Sequence, residues 1–244
     1  MAVIGLHGIP GSGKTATSAS LALKQFKKDN TFLKQFWRYI RKQRPIIVNN
    51  IYTNFPVLLH KRKKIYSNIV SIYDLNNDYS FPVGSTIFID EIQAFFDSYR
   101  DFKKFPPSIS TFFQFHRHFG IKDIYVISQH PRRIITYIRD VISQYHRIKF
   151  FWRIPILHWG IVCYKVCYEF DDYVDSFTKN KDLKKALEIK TKFYFFNYKK
   201  VFKSFDSKYL SIFNENKPKI NYGNYYSLKL PDYVKDSLYN KLFI

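Results

Sequence analysis

Gly8-Ile9-Pro10-Gly11-Ser12-Gly13-Lys14-Thr15 has the spacing G-x-x-x-x-G-K-S/T, in which a glycine-rich turn lets backbone N–H groups converge on phosphate oxygens. In that chemistry Gly8, Pro10, Gly11, Ser12 and Gly13 form the phosphate cradle. Lys14 reaches the β and γ phosphates of a nucleotide, and the Thr15 hydroxyl holds Mg²⁺. Half of the chain's eight glycines fall within the first thirteen residues, as close backbone approach to a ligand requires. An ordinary glycine turn before a helix would not need Lys-Thr at that offset.

A second chemical element is Thr86-Ile87-Phe88-Ile89-Asp90-Glu91, an apolar run ending in two carboxylates. Asp90 is placed to hold the Mg²⁺ shell, and Glu91 to orient or deprotonate an attacking water. The bland reading is an Asp-Glu pair opening a helix, where negative charge suits the dipole; the phosphate loop upstream favours the chemical one. A third run, Tyr125-Val126-Ile127-Ser128-Gln129, also ends in polar residues. Gln129 there could sense the γ phosphate or the water, although Ser-Gln is equally ordinary loop chemistry.

These groups need a scaffold that presents strand ends along one edge. Ala2 to His7 reads as a buried strand and Lys14 to about Lys28 as a helix. Ile46 to Asn50, Thr86 to Asp90 and Asp123 to Ser128 read as further strands. Helices are expected over about Ser110 to Phe119 and from Pro131 to about Gln144. The alternation predicts an α/β fold of the P-loop NTPase type, a mainly parallel sheet flanked by helices. Beyond Tyr145 come aromatic, β-prone runs (Tyr145 to Trp159, Ile161 to Phe170, Lys192 to Phe205). The expected organisation is therefore an ATPase core over 1–145, a β-rich extension of the same domain over 146–213 and a polar C-terminal arm over 214–244.

The chain has 244 residues, 40 lysines and arginines against 19 acids, a formal charge of +21, and 46% hydrophobic residues. So apolar a chain is not a disordered basic tail; its excess charge must decorate a folded surface and favour polyanions. Two cysteines, Cys163 and Cys167, cannot form a four-ligand zinc site, and a reduced compartment is the default. No secretory signal is evident, and no uninterrupted apolar run suggests a spanning helix. His116 and His118, two apart on an expected helix, point to different faces and do not share a metal. The cluster His60 to Lys64 and the aromatic, basic segment Phe32 to Arg44 suit single-stranded DNA or an anionic membrane surface; solvated basic loops are the plainer alternative.

The phosphate loop, Asp90-Glu91-Ile92-Gln93 followed by Phe95-Phe96 and Arg100, then His116-Arg117-His118-Phe119-Gly120, Ile127-Ser128-Gln129 and Ile138-Arg139 together resemble the zonula occludens toxin (Zot)-like family, over roughly residues 1 to 145. That family includes the assembly ATPases of filamentous phages. The resemblance implies a Mg-ATP-hydrolysing enzyme allied to ring-forming DNA pumps, a homo-oligomeric ring with a hexamer among its closed forms, and phage DNA or coat proteins as the load. It implies work in virion assembly and export from the host cytoplasm, at the cytoplasmic face of the inner membrane. Many members continue into a membrane-spanning helix that is not evident here, so peripheral attachment or a partner subunit is expected. Arg117 and Arg100 are the candidates for a trans-acting arginine finger, with Arg132, Arg133 and Arg139 competing.

Two other classes compete: a P-loop kinase for a small molecule or nucleotide, disfavoured by the Asp-Glu pair, and a non-hydrolysing DNA- or membrane-binding scaffold. A GTPase lacks support because no N-K-x-D signature occurs, and Gly11-Ser12-Gly13 lacks the third glycine of a dinucleotide fold.

Overall fold

The computed structural model describes residues 2–43, 47–70, 81–95, 106–167 and 190–205. Ten strands are assigned among them: β1 (Ala2–His7), β2 (Ile51–Thr53), β3 (Leu58–His60), β4 (Ile65–Tyr66), β5 (Asn68–Ile69), β6 (Thr86–Ile89), β7 (Asp123–Ser128), β8 (Gln144–Ile154), β9 (Trp159–Cys167) and β10 (Lys190–Asn197). The α-helices are α1 (Lys14–Asp29), α2 (Phe32–Ile40), α3 (Pro107–Phe115), α4 (Thr136–Arg139) and α5 (Tyr198–Phe202). Eight strands form one sheet in the order β10-β9-β8-β1-β7-β6-β2-β5. The pairings from β8 through β5 are parallel, while β9 runs antiparallel to both β8 and β10.

Alternate residues of the central strands feed two apolar layers, as a sheet covered on both faces requires. Val3, Ile124 and Val126 pack with Ile109, Phe112 and Phe113 of α3 and Ile138 of α4. Ile4, Leu6 and Ile127 pack on the other face with Ala16, Ala19, Ala22, Leu23 and Phe26 of α1. The small residues on α1 let its axis approach the sheet closely. Each fully buried isoleucine or phenylalanine here contributes about 1.5–3 kcal/mol.

β1, β7 and α1 lie where their apolar patterns place them, and β6 is one residue shorter than expected. Other expectations need correction. The second strand is β2, beyond the expected Ile46 to Asn50. The helix expected from Pro131 to Gln144 is a 3₁₀ turn over Pro131–Arg133 and the four residues of α4. Between them Ile134 and Ile135 are extended and fully buried: both pack in the layer shared with α3 and β7, and that tertiary packing overrides the local helical signal. The expected helix over Ser110 to Phe119 starts at Pro107 and gives way to turns at His116. Beyond 145 the described residues form the rest of β8, then β9 and β10, and the last expected strand run becomes α5 after Asn197, whose side chain accepts from the Lys200 N–H as a helix cap. The boundary at 145 falls inside β8, which pairs with core strand β1 as well as with β9. The C-terminal arm, 214–244, lies outside the described residues.

Candidate active site

Because β1, β7 and β6 are adjacent and parallel, their carboxyl ends share one edge, with His7 level with Ser128. Ligands of such sheets bind outside that edge. The loop from Gly8 to Thr15 leaves β1 there and enters α1. Gly11 and Gly13 both have positive φ, 78° and 89°, a conformation costly to any residue with a Cβ. At Gly13 a Cβ would also sit 2.9 Å from Phe151 of β8. The antiparallel extension therefore buttresses the loop.

Lys14 is buried, and its Nζ donates to the carbonyls of Gly8 and Ile9 at 2.9 and 3.0 Å. Burial lowers its pKa, against the raising effect of Glu91 and then Asp90. The Thr15 hydroxyl donates to Asp90 Oδ2 at 2.7 Å, joining the ends of β1's loop and β6. Asp90 is 1% exposed. Burial pushes its pKa up to about 6, against the lowering effect of the Thr15 hydrogen bond.

Asn54, after β2, grips the Asp90 backbone from both sides: its Nδ2 donates to the Asp90 carbonyl at 2.7 Å and its Oδ1 accepts from the Asp90 N–H at 2.8 Å. Asn54 belongs to no motif and lies 36 residues upstream, so only the fold reveals it. Glu91 holds a left-handed backbone, φ 50°, where the 3₁₀ turn Ile92–Ala94 begins; such geometry in a non-glycine residue marks a constrained site. Gln93 donates from Nε2 to Glu91 Oε2, and Gln129 Nε2 stands 3.4 and 3.5 Å from the two Glu91 oxygens. The two sequence candidates for handling water, Glu91 and Gln129, are thus brought together.

Beneath the loop, His7 is fully buried, shares a 2.7 Å hydrogen bond with Ser128 and stacks on Tyr145 at 5.6 Å. Burial lowers its pKa to about 3, helped by His130, His146 and Lys14, so it is neutral at physiological pH. Its position, a polar residue ending an apolar strand directly before the loop, was the available signal. Arg100 lies outside the described residues. Arg117 follows the end of α3, where the chain turns through Gly120 toward the start of β7. That is the sheet edge opposite the phosphate loop, so Arg117 does not join this chain's own site. Arg132 and Arg133, after Gln129, and Arg147, level with His7 on β8, belong instead to the site's edge of the sheet.

The site fits a nucleotide and Mg²⁺. Ser12 Oγ is buried in the loop with no hydrogen-bond partner among the described residues, and Thr15 with Asp90 offers the hard oxygen donors that Mg²⁺ prefers. Fold and loop define the chain as a P-loop NTPase fold with its acidic strand one strand removed from β1. The sequence profile of the zonular occludens toxin (Zot) family matches residues 2–151, and the chain belongs to that family. The crystal structure of the N-terminal domain of zonular occludens toxin from Neisseria meningitidis is similar, with 20% identity and a TM-score of 0.53, over 84% of this chain and 98% of that one. The genome packaging NTPase B204 from Sulfolobus turreted icosahedral virus 2, in complex with ATP-gammaS, matches at 13% identity and a TM-score of 0.42, over 81% and 92%. No curated protein matches the sequence.

Proposed function

We propose that this chain is an ATPase that uses Mg-ATP hydrolysis to drive filamentous phage assembly and extrusion at the cytoplasmic face of the host inner membrane. The observation carrying this reading is the convergence of Lys14, the Thr15–Asp90 pair at 2.7 Å and the Glu91–Gln129 pair on one sheet edge. Mg²⁺ when bound would neutralise charge on the β and γ phosphates. Thr15 and Asp90 would hold it, and Lys14 would turn from the loop carbonyls to the phosphates. Glu91, with its backbone constrained and its carboxylate steadied by Gln93 and Gln129, would accept the proton of the attacking water. A carboxylate beside the water favours hydrolysis over phosphate transfer to an acceptor.

Family membership supports the phage-assembly role, and the charge of +21 supports a polyanionic load or surface. A homo-oligomeric ring would supply a neighbour's arginine, Arg117 among the candidates, to the developing charge. The test is ATP turnover and virion release by the parent, Lys14→Ala and Glu91→Gln proteins, with and without phage DNA. Loss of both activities in both variants is expected; equal activity in all three overturns the proposal.

A further inference from the structure

Helix α2 is mounted inside out. At 100° per residue, Tyr39, Phe32, Phe36, Ile40, Leu33 and Trp37 fall on one continuous arc, while Lys34, Arg38 and Gln35 occupy the other. In a helix that serves the core, the apolar arc faces inward. Here the polar arc does. Arg38 donates to Asn30 Oδ1 at 3.2 Å and to the Asp29 carbonyl at 2.9 Å, Gln35 donates to the Asn30 carbonyl at 2.9 Å, and Lys34 stands 4.0 Å from Asp29. No residue of α2 is buried, and its six apolar side chains are 47–80% exposed. Phe36 contacts Phe32 and Trp37 at 6.3 and 6.5 Å, and Arg41 lies 5.8 Å over the Trp37 ring, so the outward face is an organised surface.

The surroundings specify what covers it. Asp29 is the only carboxylate in the first 73 residues, against thirteen lysines and arginines, and α2 already engages it. Beside the helix an open cleft of about 1110 Å³ is lined by Lys27, Lys61, Arg62, Lys199, Lys200 and Lys203, with Gln35 of α2 on its wall. Lys200's pKa is lowered, first by burial and then by Lys27, as expected of a partly buried cation beside another. Apolar residues presented outward and flanked by cations match a helix lying in the plane of an anionic bilayer. Leu33 and Ile40 favour acyl chains over nucleobases, since aliphatic side chains cannot stack. Among the described residues no helix is long and apolar enough to cross a membrane.

We propose that α2 docks the protein on anionic lipid, its apolar arc seated among the acyl chains and Arg41, Lys42 and the adjoining cleft against the headgroups. This rests on the membrane part of the function proposed above, and the assay below is independent of ATP turnover. The full chain, with Trp152→Phe and Trp159→Phe so that Trp37 alone reports, is mixed with vesicles of phosphatidylcholine alone or with 30% phosphatidylglycerol. Binding, a blue shift of Trp37 emission and quenching by brominated acyl chains are expected only with the anionic vesicles. Phe36→Ser/Ile40→Ser lowers partitioning about tenfold or more, and Arg41→Glu/Lys42→Glu lowers it with unchanged far-ultraviolet circular dichroism. High salt weakens binding. Absence of binding, full binding by either variant, or a Trp37 shift that follows self-association or single-stranded DNA instead of lipid overturns the proposal. Loss of vesicle binding with ATP turnover intact separates this helix from the nucleotide site.

Discussion

The phosphate-loop edge of the sheet and helix α2 both reverse the usual distribution of side chains, in opposite senses. At the first, His7, Ser12, Lys14, Asp90 and Ser128 are buried polar groups; at the second, Phe32, Leu33, Trp37 and Tyr39 are exposed apolar ones. Burying Asp90 costs desolvation free energy, whereas exposing Trp37 forgoes burial that would otherwise stabilise the fold. The compensations differ too. His7, Lys14, Asp90 and Ser128 are held by specific hydrogen bonds, Thr15 to Asp90, His7 with Ser128 and Lys14 to the loop carbonyls, while Ser12 Oγ has no partner among the described residues. Among the described residues, the exposed helix is held by its polar side through Asn30 and Asp29. In the functions proposed above, each inversion is completed by a partner: a phosphate ester and cation at one, a surface of lipid at the other.

The contrast is most directly broken at Glu91. Glu91→Gln keeps the shape and removes the proton acceptor, so kcat for ATP should fall about 10²–10⁴-fold with nucleotide binding retained, as measured by steady-state turnover and equilibrium titration. A loss confined to KM would place Glu91 in binding rather than chemistry.

Asp90 sharpens the cost of buried charge. Its folded pKa of about 6 lies above its ordinary 3.8, so the neutral form is favoured in the fold. That contribution is present below about pH 4 and is lost as pH rises through 6. Asp90→Asn should therefore be more stable than the parent at pH 8, by up to about 3 kcal/mol, with the gain vanishing near pH 4 in denaturant titrations, and should lose Mg²⁺-dependent turnover.

His7 shifts the other way. With a folded pKa near 3 against 6.5, it contributes stability above pH 6.5 that is lost as pH falls toward 3. His7→Gln, which can still bond to Ser128, should flatten the stability profile between pH 6.5 and 4 by about 1.4 kcal/mol per pH unit. An unchanged slope would mean that His7 takes up its proton in the folded state. At the opposite pole, Trp37→Ser should change stability by less than about 0.5 kcal/mol, because an exposed ring buries little on folding. A larger loss would show that α2 supports the fold itself.

Local pattern carried much of this site. The glycine loop between strand and helix, the carboxylates ending Thr86 to Ile89 and the glutamine ending β7 are each signalled by neighbours in the chain, because strand ends and tight turns have their own residue chemistry. Asn54, the αL backbone of Glu91 and the Phe151 contact at Gly13 have no such signal, since each depends on segments distant in sequence. The failed helix after Pro131 has the same origin: the demand of the core for Ile134 and Ile135 outweighed a plausible helical start.

By itself, then, the sequence determined a phosphate-binding chemistry, an α/β scaffold, family membership and a large positive charge, all of which follow from residue type and short spacing. The tertiary structure alone decided that β7 inserts between β1 and β6, so that Gln129 meets Glu91, and that α2 turns its aromatic arc outward. Strand order and helix orientation are settled by the packing of distant segments, and no local pattern of polar and apolar residues contains that information.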